Sequence, residues 1–275
     1  MSRSMIQAAV TMGQLQQKLD VIGNNLSNSN TPGYKAKQAD FASLLFQQID
    51  NLNDEENQTG RITPDGVRIG SGAKLSHIDI DLSKGTLQRT DRALDAALLQ
   101  DNHLFQVQIP TEDGTETRYT RAGNFYLSEL GDGRLQLTNG SGYPIIGEDG
   151  PILFEEGFDG IAIQEDGSIL VERNGQETEE GRLATVEAAQ PRMLESAGGS
   201  TFRLPDLEAL GLTPEQIIVD VEENDVQLQS GSLETSNVDV SKQMSEMLMA
   251  QRAYQFNGRS ISIGDQMMGL VNQLR

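Results

Sequence analysis

The chain has 275 residues, no cysteine, two histidines and a formal net charge of −20. Disulfides and thiolate chemistry are excluded, and His77 and His103 leave little for imidazole catalysis or a zinc site. The acidic excess argues against nucleic acid and anionic membrane surfaces as partners, because a phosphate backbone is bound through Lys and Arg.

The charge is unevenly placed. Residues 1–34 hold only Arg3, Lys18 and Asp20, and residues 241–275 are also nearly balanced. Between Glu155 and Asp225 there are eighteen acidic residues and four arginines, so the negative excess sits in the middle of the chain. That middle reads as a solvated surface, and the neutral ends as surfaces that face other protein. No run of 18 apolar residues occurs, so no membrane insertion is expected. Gln7, Gln14, Gln16 and Gln17 interrupt any apolar signal core, so export would keep the N-terminus.

Residues 3–27 lack proline and read as a helix. Met5, Met12, Leu19 and Leu26 recur every seven residues, with Leu15 and Ile22 at the companion position, which is the pattern of a helix that packs on another helix. Asn28, Asn30, Pro32 and Gly33 stop it and turn the chain. Phe41–Ile49 is a short apolar run that reads as a further turn or two of helix, and 51–60 as a polar loop.

From Val67 the pattern becomes β. Ile78, Ile80 and Leu82 alternate with Asp79 and Asp81, and further strands are expected at 104–109, 118–121, 125–127, 134–138, 143–146, 161–163, 169–171 and 182–188. Turn dipeptides such as Asn139-Gly140, Asp166-Gly167 and Asn174-Gly175 separate them. Strands at this spacing without intervening helices indicate an antiparallel β domain. A helical turn is expected at 206–210, a helix start at Thr213-Pro214-Glu215, and a last strand at 226–233. Asn237 or Asp239 can then cap a long helix running to about Gln273. In it Val240, Met247, Tyr254, Ile261 and Met268 are seven apart, while Met244, Gln251, Gly258 and Asp265 make a mixed companion seam. Eight of the nine methionines lie in the two terminal segments, and methionine suits varied contacts. A methionine stripe is commonly core. Two such helices at opposite ends of one chain, both nearly uncharged, point instead to an assembly surface.

Residues 19–35, LDVIGNNLSNSNTPGYK, resemble the N-terminal signature of the bacterial flagellar axial proteins, the rod and hook family. Residues 233–257, LETSNVDVSKQMSEMLMAQRAYQFN, resemble its second signature. GTLQRTDRALDAALLQDNHLFQV (85–107) is similar to the segment that leads into the family's β domain, and YTRAGNFYL (119–127) to its tyrosine–threonine–arginine strand. The stretch ending in ITPDGVRIGSGAK looks more like the rod proteins than the hook protein. One departure stands out: the family commonly has glycines before a Phe-Phe pair, where this chain has Gln100-Asp101-Asn102-His103-Leu104-Phe105.

The resemblance implies a helical tube with paired terminal helices inside and β domains outside, and export through the flagellar type III apparatus. The expected fold is α+β, with long coiled-coil-like N- and C-terminal α-helices joined to a mainly antiparallel β domain. The expected divisions are 1–34 (helix and turn), 35–75 (extended rod-type segment), 76–235 (β domain, with a sub-domain near 190–225) and 236–275 (C-terminal helix). The expected partners are copies of the chain and neighbouring rod or hook proteins, with no cofactor and no metal. The expected assembly residues are Met5, Met12, Leu15, Leu19, Ile22, Leu26, Val240, Met244, Met247, Leu248, Gln251, Arg252, Tyr254, Ile261 and Met268. The expected joints are Asn30, Pro32, Gly33, Tyr34, Leu233, Ser236 and Asn237.

His77, Asp79 and Asp81 share one side of a strand and have the spacing of a metal site, but a strand with its polar face in solvent is the preferred reading. Glu155-Glu156 and Glu222-Glu223-Asp225 resemble paired carboxylates, yet such pairs arise by chance in so acidic a chain. Gly131-Asp132-Gly133 and Gly198-Gly199 are turn glycines, since neither leads into a helix with Lys-Ser/Thr. No enzyme activity is expected. The other readings are a hook-type or hook-adaptor protein and, in a different class, a secreted acidic β enzyme or binding module on a helical stalk.

Overall fold

The computed structural model describes residues 3–43, 46–49, 67–70, 73–111, 114–131, 133–222 and 225–273. They fall into two compact units: residues 1–24, 38–79 and 241–275 in one, and 25–37 and 80–240 in the other.

Two long helices organise the first unit. α1 runs over Arg3–Ser27. A single turn, α2 (Leu207–Leu210), belongs to the second unit, and α3 spans Val240–Gln273. The α1 bounds match the proline-free heptad run. The two helices lie antiparallel. Met5 sits beside Gly264, where an added Cβ would lie 3.0 Å from Met5 Cγ, and Met12 Cε is 3.9 Å from the same point on Gly258. Lys18 Nζ is 3.7 Å from Glu246 Oε2. Among the described residues of this pair, the fully buried apolar side chains are Ala8, Ile22 and Ala250, so the seam is thinly covered.

The same unit holds β1 (Lys37–Ser43), β2 (Phe46–Ile49), β3 (Val67–Gly70) and β4 (Ala73–Ile80). β1 pairs with β4, and β2 with β3. The helix expected at 41–49 is therefore a correction. A short apolar run has no periodicity of its own, and here Phe46–Ile49 pairs antiparallel with Val67–Gly70 instead of winding. The polar loop expected at 51–60 lies outside the described residues.

The second unit is the β domain. β5 (Leu87–Arg89) and β6 (Ala96–Leu98) are short; β7 (His103–Thr111) and β8 (Gly114–Thr120) form its longest hairpin. A six-stranded sheet runs in the order Glu195–Gly198, Thr201–Arg203, β8, β7, Thr185–Ala188, Ile218–Asp220, with antiparallel pairing throughout. Residues 191–220 thus supply three of its strands.

Alternation along β7 sends Phe105, Val107 and Ile109 to one face and Leu104 to the other. The first face packs on Phe125, Leu137, Ile145, Phe154 and Ile169, and the second on Tyr119, Val186, Leu194, Phe202 and Ile217. The sheet is covered on both sides at the start of β7, where Leu104 and Phe105 are buried on opposite faces, while beyond it the partly buried Gln106 and Gln108 alternate with buried Val107 and Ile109. Asn174 and Gly175, both at positive φ (53° and 76°), close the hairpin between Ser168–Arg173 and Gln176–Arg182, as that dipeptide predicts. The last strand, expected as one piece, breaks at Gly231 (φ 63°). Leu228–Ser230 then pairs with β6, and Ser232–Glu234 with β5.

Candidate functional site

Three of the stretches singled out in the sequence meet at one carboxylate. Lys35 ends the first signature, Arg121 lies in YTRAGNFYL, and Glu234 is the second residue of the second signature. Glu234 Oε1 accepts hydrogen bonds from Lys35 Nζ (2.7 Å) and the Gly85 N–H (2.6 Å), and Oε2 accepts one from Arg121 Nε (2.6 Å). Glu234, Lys35 and Arg121 are each at most 2% exposed. Burying three charges is costly unless each is paired and hydrogen-bonded. Here the remaining donors reach carbonyls: Arg121 Nη1 to His103 O (2.7 Å), Arg121 Nη2 to Leu98 O (3.2 Å), and Lys35 Nζ to Ser83 O (2.6 Å). Burial lowers the Lys35 pKa below the usual lysine value, against the opposing pull of Glu234.

The turn after α1 is built to reach this cluster. Gly33 sits at φ 66°, and a Cβ there would lie 2.4 Å from Ala122 N, so only glycine fits. Its N–H donates to Glu234 O at 2.8 Å. Tyr34 is buried and donates its hydroxyl to Asn25 Oδ1 (3.1 Å). Asn25, fully buried, also takes the Lys37 N–H and donates to Lys37 O, as a strand neighbour would. Burial pushes the Tyr34 phenol up to about 12. Asn237 Oδ1 accepts the Ala36 N–H (2.8 Å), and its Nδ2 donates to Asp81 O and Ser83 O.

Of the expected joint residues, Gly33, Tyr34 and Asn237 are thus tied into the cluster. Leu233 pairs with Gln88 in the strand ladder, Ser236 Oγ accepts the Val238 N–H, Pro32 is half-buried, and Asn30 is exposed. Asn25, Lys35, Arg121 and Glu234 were not assigned as joints from sequence. Where the family carries glycines, Asn102 takes a left-handed φ of 60°, a conformation asparagine tolerates. His103, next to it, is buried with Nδ1 lacking a protein partner. Burial lowers its pKa.

On the helices, Met5, Met12, Leu15, Leu19, Leu26, Met247, Tyr254 and Ile261 are half-buried, and Ile22 is buried. Val240, Met244, Leu248, Gln251, Arg252 and Met268 are exposed. A second heptad series, missed in the sequence reading, runs Met249, Phe256, Ile263 and Leu270; these side chains are 62%, 71%, 56% and 61% exposed. It lies roughly a third of a turn round α3 from the half-buried face. Ile6 and Val10 extend apolar surface on the outer side of α1.

The described residues hold no group of three or more His, Cys, Asp or Glu side chains placed to bind a metal. The side chain of His77 lies outside them, and Asp81 Oδ1 accepts the Ser83 N–H. No described helix is long and apolar enough to cross a membrane.

Comparison with known proteins accounts for these features together. Residues 7–35 match the family described as flagella basal body rod protein, 98–171 the flagellar hook protein FlgE/F/G D1 domain, and 229–274 the flagellar basal body rod FlgEFG protein C-terminal. The chain is 38% identical over 280 residues to the flagellar hook-basal body complex protein FlhP of Bacillus subtilis, covering all of both chains. It is 33% identical over 279 residues to the flagellar basal-body rod protein FlgG of the same organism, again covering all of both. Against FlgG of Caulobacter vibrioides it is 32% identical, over 98% of this chain and 97% of that one. The chain belongs to the flagellar basal-body rod protein family, whose members are structural subunits and not enzymes.

Proposed function

We propose that this chain is a rod subunit that polymerises through its terminal helices into a helical tube carrying torque from motor to hook, beside neighbouring rod and hook proteins. The observation that carries this reading is the apolar series Met249, Phe256, Ile263 and Leu270, left open on α3 in the single chain. Burial is worth about 25 cal/mol per Å², so a neighbour that covers these side chains gains several kcal/mol per contact. The expected seam completes the picture: Met5, Met12, Leu15, Leu19 and Ile22 with Met247, Tyr254 and Ile261 hold the helix pair, and Val240, Met244, Leu248, Gln251, Arg252 and Met268 lie open for contacts with further copies. A head-to-tail contact of unlike faces generates an open helix rather than a closed ring. Acidic outer domains repel one another, but salt screens that beyond about 8–10 Å. The family reading also brings export through the flagellar type III apparatus without a cleaved signal.

The test is Phe256→Asp in place of the native gene. The secreted variant keeps its β-domain fold, measured by circular dichroism, and disappears from purified basal bodies. A full complement of the variant in assembled rods would contradict the proposal.

A further inference from the structure

The charge cluster is not symmetric. Arg121 belongs to the body of the β domain and cannot lose its proton, so it needs Glu234 wherever it is buried. With Glu234 in place the two are already balanced, and Lys35 adds one cation in excess. The nearby Asp81 carboxyl is exposed and bonded to the Ser83 N–H.

The backbone shows the same asymmetry. Residues 228–234 are held by strand pairing to β6 and β5, which owes nothing to the N-terminal side. Residues 33–36 bond to 81–83 at two points, Ala36 O accepting the Asp81 N–H and Lys35 Nζ donating to Ser83 O, and otherwise lean on the C-terminal segment itself. Gly33 N–H donates to Glu234 O, Lys35 Nζ to Glu234 Oε1, and Ala36 N–H to Asn237 Oδ1.

We infer that docking is directional: the strand bearing Glu234 seats on Arg121 by itself, and the turn Asn25–Lys37, because it carries the charged Lys35 into the cluster, seats only where the Glu234 carboxylate is already in place. Glu234 is then the positioning residue for both points at which the chain enters and leaves the β domain. The N-terminal point is the releasable one. A pull on Lys35 frees that segment alone, and a pull on Glu234 frees both.

Amide hydrogen exchange on the full-length chain tests the order. Lys35→Met leaves protection across 228–235 within about threefold of the native chain, because the Arg121–Glu234 pair stays balanced. The paired change Arg121→Met with Glu234→Met removes the balanced charges and strands Lys35. Exchange at Gly33 and Ala36 then accelerates by about 100-fold or more, while β7 and β8 stay protected. Adding Lys35→Met to that pair restores protection at 33–36, which a purely structural loss of packing would not allow. Loss of protection at 228–235 in Lys35→Met alone would overturn the inference in favour of a mutual lock. Unchanged exchange at 33–36 in the paired variant would overturn it as well.

Discussion

Lys35 and Glu234 stand 199 residues apart in sequence and 2.7 Å apart in space. With Arg121 they bind the turn after the first helix, the tyrosine–threonine–arginine strand and the last strand into one buried cluster. Glu234→Gln leaves two cations buried with no carboxylate. The expected loss is about 3–5 kcal/mol, read as a lower urea midpoint. Lys35→Met removes the surplus cation and replaces it with apolar volume, so it shifts the same midpoint far less.

Gly33 and Gly13 separate two roles of glycine. Gly33→Ala forces a side chain into a left-handed turn against Ala122, and costs more than about 1 kcal/mol. Gly13 lies in α1 with open space where its Cβ would be. Gly13→Ala therefore stabilises the helix by about 0.8–1 kcal/mol. Helix content by circular dichroism during denaturation distinguishes the two.

His103 and Tyr34 each make a signed contribution to the pH dependence. His103 has a lowered pKa in the folded chain, so unfolding takes up a proton as pH falls below the usual histidine value of 6.5. Stability falls with acid in that window, by up to about 1.4 kcal/mol per pH unit, and His103→Leu flattens it. Tyr34 is raised from 10.0 to about 12, so the unfolded chain ionises first and stability drops as pH climbs through that interval. Ultraviolet titration is expected to find Tyr34 ionising last, and Tyr34→Phe to remove that late step. Urea midpoints between pH 5 and 7 check the histidine half.

The two faces of α3 fail in different ways. Met247→Asp, like Leu19→Asp, puts a charge into the half-buried seam and loosens the helix pair as well as blocking assembly. Ile263→Asp on the exposed series leaves helix content unchanged and blocks assembly alone. Secreted subunits compared by circular dichroism, alongside rod incorporation, separate these outcomes.

Much of this was legible in the sequence for physical reasons. The heptads of α1, the proline-free run to Gln273 and the turn dipeptides each report a local period or a local φ. Phe41–Ile49 reads as helix from sequence alone because a short apolar run fits either helix or strand until its partner is known. The series Met249, Phe256, Ile263 and Leu270 was masked by the equally regular Val240, Met247, Tyr254, Ile261 and Met268: a helix apolar on two faces has no single stripe. The convergence of Lys35, Arg121 and Glu234 depends on pairing across the whole chain, which no local spacing reveals.

That the chain is a built-in part of the flagellar rod is tested most directly by a mass-spectrometric inventory of purified hook–basal bodies from the native host, with and without this gene. The protein is expected in the rod fraction, with no hook in the deletion strain. Basal bodies that lack the protein, in a deletion strain that swims normally, would contradict it.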